Sequence, residues 1–98
     1  MDNQHKLIKG YRDLSEDEIA LMNEIKAQGE ILGALVKKIE DHINKQYDAL
    51  WDAELDFDEA ESARLDVAEP CQWLATGKTD LQNGIMKLVR SVAQPTTF

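Results

Sequence analysis

The sequence predicts an all-α chain, an antiparallel two-helix hairpin that packs with further copies of itself into a helical oligomer. Three observations lead there. Two long stretches carry apolar or small residues at alternating spacings of three and four, the period of a helix that buries one face. Pro70 precedes the second stretch and Pro95 follows it, at the places where proline starts and stops helices. The apolar positions also spread wider than one partner helix can cover, and a chain of 98 residues with a single cysteine has no disulfide framework to compensate for a small core.

The elements follow in order: a short N-terminal arm over residues 1–14, a long helix over 15–50, an acidic connector over 51–69 and a second helix over 70–94. The long helix opens on a capping box. Ser15 is the N-cap and Glu18 stands three residues on, with Glu16, Asp17 and Glu18 in the first turn, where the helix dipole favours negative charge. From there Met22, Ile25, Gly29, Leu32, Val36, Ile39 and Ile43 form a seam. Beside it Leu21, Ala27, Ile31, Ala34 and Leu35 make a second apolar surface. Gly29 and Gly33 each cost about 1 kcal/mol against alanine inside a helix, which points to close approach by another backbone or a ligand.

The net charge of −8 is concentrated in one place. Residues 48–69 hold nine acids and one base, Arg64, and the rest of the chain is neutral. An acidic chain with no basic stripe excludes binding to long DNA or RNA, which rests on many lysine and arginine phosphate contacts. Within the connector Asp52, Glu54, Asp56 and Asp58 alternate like calcium ligands. Phe57 and Ala63 occupy the sixth and twelfth positions, where an EF-hand needs glycine and glutamate; the connector therefore reads as a solvated acidic loop or a helix extension. No metal or other cofactor is expected. No leader-like apolar segment is seen at the N-terminus, and the expected location is the cytoplasm.

The second helix places Leu74, Gly77, Leu81, Gly84, Leu88 and Ser91 on its seam, with Ile85 and Val92 on one flank and Met86, Val89 and Ala93 on the other. A helix apolar on so many sides needs several hairpins around it.

Gly77-Lys78-Thr79 spells the end of a P-loop, but Gln72 stands where the first glycine belongs and no strand precedes it. The match is one of letters only. Catalytic sets are equally scarce: His5 and His42 have no nucleophile at local spacing, and Cys71 has no neighbouring base. No enzymatic activity is expected.

The polar residues that stand out lie at element edges. Gly10 frees the backbone beside Tyr11, whose ring offers a face for stacking a base, and Lys9 and Arg12 flank them. Lys26 lies between Ile25 and Gly29, and Lys78 and Thr79 offer an ammonium and a hydroxyl to phosphate oxygens. Each has a plainer reading as a surface charge or a turn tyrosine.

The stretches "IKGYRDLSEDEIALMNEIKAQGEILGALV" and "WLATGKTDLQNGIMKLVRSVAQP" resemble the phage anti-CBASS cyclic-oligonucleotide sponge family, whose helical hairpin is shared with an anti-Thoeris sponge. The resemblance rests on the "GYR-L-(S/T)-x-x-E" start and the "LQ-x-G-x-M-x-L-V-R-x-V-A-x-P" end. It implies a homohexamer that binds cyclic dinucleotides such as 3′,3′-cGAMP, and cyclic trinucleotides, and withholds them from bacterial immune effectors without cleavage. It implies Tyr11 and Lys26 as the main dinucleotide contacts, with Gly10 and Arg12 beside them. Lys78 and Thr79 are the corresponding candidates for trinucleotide or phosphate contact. Two rival readings stand beside it: an acidic helical module that binds a host protein through residues 52–66, and a phosphodiesterase that destroys the messenger.

Overall fold

The computed structural model describes residues 12–51 and 57–96, and all regular structure among them is helical. Helix α1 spans Glu16–Trp51, α2 spans Glu59–Ala68 and α3 spans Pro70–Ala93. The expected capping box at the start of α1 is present. Glu18 N–H donates to Ser15 Oγ at 3.2 Å, and Ser15 N–H donates to Glu18 Oε1 at 2.8 Å.

Helix α2 is the departure from the sequence reading, which left 51–69 as a connector. Asp58 is its N-cap, accepting from Glu61 N–H at 3.0 Å through Oδ1, with Glu59 and Glu61 in the first turn. Glu61 also pairs with Arg64 one turn on, which holds its carboxyl below the usual range. The helix stops at Glu69, a non-glycine residue in the left-handed region at φ 50°, whose N–H donates to Leu65 O. Pro70 follows as the first residue of α3 and disfavours continued right-handed helix at Glu69. The same device ends α3, where Gln94 has φ 51°, donates its N–H to Arg90 O at 2.8 Å and is followed by Pro95.

The chain forms two compact units. One, residues 32–80, holds the second part of α1, all of α2 and the first part of α3. Its buried apolar side chains are Ile43 and Leu50 from α1 and Leu65 from α2, the last only 1% exposed. Trp51 and Phe57 bring their rings within 4.8 Å at a 40° tilt, so the two sides of the segment 52–56 meet in an aromatic contact. Because Leu65 is core, deleting 52–66 to test the connector's role would remove a buried anchor along with the acids; neutralising the exposed Glu59 and Asp66 is the cleaner change.

The other unit, residues 1–31 and 81–98, contains the start of α1 and the end of α3, which run antiparallel. Arg12, ahead of α1, reaches the last carbonyls of α3, while Gly29 further along α1 meets Ile85 further back on α3. A Cβ on Gly29 would lie 3.7 Å from Ile85 Cγ2, an ordinary contact.

On α1 the seam holds except at Ile39, which is 40% exposed: Met22, Ile25, Gly29, Leu32 and Val36 are half-buried and Ile43 is buried. On α3 it drifts. Leu74, Gly77 and Gly84 are half-buried, but Leu81, Leu88 and Ser91 are exposed, and Ile85, Val89, Val92 and Ala93 turn inward. A strict 3-4 pattern rotates about 20° per heptad against a straight helix, about 40° over two heptads, which carries the later seam positions off the inward face.

Much apolar surface is left over. Leu21, Ile31 and Leu35 of the second α1 stripe are 49%, 61% and 50% exposed, and Leu88 and Met86 of α3 are 53% and 66% exposed. Among the described residues Gly33, Gly77 and Gly84 have nothing within 4 Å of where a Cβ would stand, so no contact with those residues requires glycine there.

Candidate ligand-binding site

Arg12 sits between the two helix ends it joins. Its Nη1–H donates to Glu18 Oε1 at 3.1 Å and its Nη2–H to Glu18 Oε2, a bidentate pair. Its Nε–H donates to Ala93 O at 3.2 Å and Nη2–H also donates to Val92 O at 2.9 Å. Among the described residues, four of five guanidinium N–H groups are thus engaged. The carbonyls at the end of α3, which have no helical partner, receive a donor and a positive charge. Sequence reasoning grouped Arg12 with the ligand contacts. In the structure a phosphate takes more than the one remaining N–H only by displacing Glu18 or those carbonyls.

Glu18, a residue that sequence reasoning used only as a cap, is the centre of this cluster. Arg12 holds its carboxyl down to about 2, helped by the Ser15 N–H. The sign of the pH effect follows. A carboxyl with a depressed folded value stabilises above its ordinary value near 4.5 and loses that contribution as pH falls toward about 2. We expect the Glu18 carboxyl carbon, followed by NMR, to titrate near 2 in the native chain and to move back toward its ordinary range in Arg12→Gln. The signal that linked the two residues was available: a bidentate-capable arginine three residues before an N-cap whose box ends in glutamate.

Lys26 lies on the exposed side of α1, and among the described residues its ammonium has no ion-pair partner. Its neighbours at helical spacing are Met22, Asn23, Gly29 and Glu30, of which Glu30 makes no ion pair with it, and Gly33 stands two turns on along the same flank. Ile31 and Leu35 lie about 140° and 180° around the helix from Lys26, away from Gly29 and Gly33. By contrast Lys37 is held by Asp41 at 3.3 Å and Glu40 at 3.4 Å, which raise its pKa. Tyr11 and Gly10 lie outside the described residues.

Lys78 and Thr79 point in different directions from α3. Both are exposed on α3, but consecutive helix residues point about 100° apart and do not face each other. Thr79 Oγ1 donates to Ala75 O at 3.1 Å, so its single hydrogen is in use and the hydroxyl is left as an acceptor. Lys78 is the better phosphate candidate of the two. Cys71 and His42 are exposed, and among the described residues no three of His, Cys, Asp and Glu are grouped to hold a metal ion. Nor, among those residues, is any helix long and apolar enough to cross a membrane.

A helix pair whose ends are joined by Arg12 defines a small helical-hairpin protein. Residues 3–93 match the family described as Acb2/Tad1, hairpin domain, and the chain belongs to that family. It is similar to Anti-CBASS protein 2 of Pseudomonas phage JBD67, with 40% identity over 105 aligned positions that cover 97% of each chain.

Proposed function

We propose that this chain is an anti-CBASS sponge: an oligomer, with a hexamer as the expected form, that binds cyclic dinucleotides such as 3′,3′-cGAMP and holds them intact, away from the effectors they would activate. Tyr11 stacks on a base and Lys26 pairs with a phosphate; Gly10 lets the backbone approach. Cyclic trinucleotides take a second site to which Lys78 contributes. The observation that carries the reading is Lys26 itself, an ammonium with no ion-pair partner among the described residues, on a glycine-bearing flank of α1. Family membership and the name of the phage relative support it. So does the unburied apolar stripe through Ile31 and Leu35, which an assembly of hairpins would cover.

The test is calorimetric. Tyr11→Ala and Lys26→Ala are each expected to abolish the heat of 3′,3′-cGAMP binding while the assembly keeps its size by light scattering. Undiminished binding in both variants would sink the assignment. Nucleotide released by heat from the native complex is expected intact; linear product would instead establish the phosphodiesterase.

A further inference from the structure

We propose that the flank of α2 bearing Glu59 and Asp66 docks on Lys38 and Lys45 of α1 in a second copy of the chain. The inference deepens the proposed assembly by naming one of its contacts; it rests on the chains associating and not on the ligand they hold.

Three observations carry it. First, Lys38, His42 and Lys45 follow one another at spacings of four and three, an exposed strip on α1 that begins one turn past the exposed Leu35. The two lysines lie about 140° and 160° around the helix from the buried Ile43, away from the core. Among the described residues neither has an ion-pair partner. Asp41, within one turn of both, is held by Lys37, and Asp48, one turn past Lys45, makes no ion pair with it. Second, Glu59 and Asp66 are exposed on α2, at least about 100° around it from the buried Leu65. Among the described residues they too make no ion pair, Arg64 being taken by Glu61. Third, the two pairs have the same spacing. Seven residues separate the lysines and seven separate the acids, which sets each pair about 10.5 Å apart along its helix and within about 20° of one face.

Two acids thus match two bases in sign, number and separation. His42 stands between the lysines, and Ser62 and Ala63 stand between the acids, where their small side chains leave room for it. A chain of net charge −8 repels its own copies unless acids are set against bases. Exposed ion pairs add little affinity, so the adjoining apolar surface at Leu35 supplies the adhesion and the charges choose which face meets which. Each chain carries both halves, so the contact occurs twice in a two-fold pair or repeats around a closed ring.

The test is a charge swap, read as the association constant by sedimentation, with helix content followed by circular dichroism. Lys38→Glu with Lys45→Glu, and Glu59→Lys with Asp66→Lys, each set like charges against one another and are expected to weaken association at least about tenfold. The fourfold variant restores opposite signs and is expected to return to within about threefold of the wild type. Double variants that associate as the wild type does, or a fourfold variant no better than the doubles, overturn the proposal.

Lysine in the first turn of α2 opposes the helix dipole, so Asp66→Lys, beyond that turn, is also measured alone. Either Lys38→Glu or Lys45→Glu is expected to rescue it, and the one that does gives the direction in which the two helices run; rescue by neither overturns the docking. Wild-type chains that sediment singly overturn it as well. Chains that associate and fail the swap lose this contact and leave the sponge reading standing. Chains that pass the swap and give no heat with 3′,3′-cGAMP keep the contact and lose the sponge.

Discussion

Leu65→Ala is expected to destabilise the chain by about 2–5 kcal/mol, the range for truncating a fully buried leucine that leaves a cavity behind. Leu65 is 1% exposed and sits on a ten-residue helix. A helix that short has little stability of its own, so α2 stays folded only while its one buried side chain is in place. Urea unfolding should show a lower midpoint at an unchanged slope. Val67→Ala is the matched control: on the same helix but 87% exposed, it should move stability by less than about 0.5 kcal/mol. Equal effects of the two substitutions would mean that α2 is not packed as described.

Ile31→Glu combined with Leu35→Glu is expected to convert the proposed assembly into single chains. Both side chains are at least half exposed in the isolated hairpin, so the charges cost that hairpin little. Buried against a neighbouring copy, each carboxylate would be unpaired in an apolar contact, a far larger penalty. Sedimentation should give the mass of one chain for the double variant and a multiple of it for the wild type, with helix content alike. A wild-type protein that sediments as one chain would refute the assembly.

Much of this was legible in the sequence, for identifiable reasons. The start of α1 was read correctly because a capping box is local chemistry, settled within four residues by Ser15 and Glu18. The start of α3 was equally local, marked by Pro70. Helix α2 was missed although Asp58 and Glu61 form a cap of the same spacing, because its acids were weighed as calcium ligands and as net charge before they were weighed as caps. Its apolar content is too thin for a periodic signal: only Leu65 turns fully inward.

The α3 seam was followed one position too far because a fixed repeat was extended through Leu88 and Ser91 without its rotation. The clamp at Arg12 was out of reach for another reason. It joins residues 80 and 81 positions apart in the chain, and no local pattern encodes that pairing. Lys78 and Thr79 stand side by side in the sequence but point about 100° apart around α3, because adjacency along a sequence is separation around a helix.

The three glycines in open space have a consequence for dose. Gly33, Gly77 and Gly84 weaken the helices of a solitary chain, and nothing among its described residues packs where their side chains would be. In the proposed assembly a neighbour does, so folding and association become one equilibrium governed by mass action. The thermal midpoint then climbs with concentration. At low copy number the chains would be less stable and, where protomers share a pocket, poorer at holding ligand, so binding capacity would rise more steeply than the number of copies made.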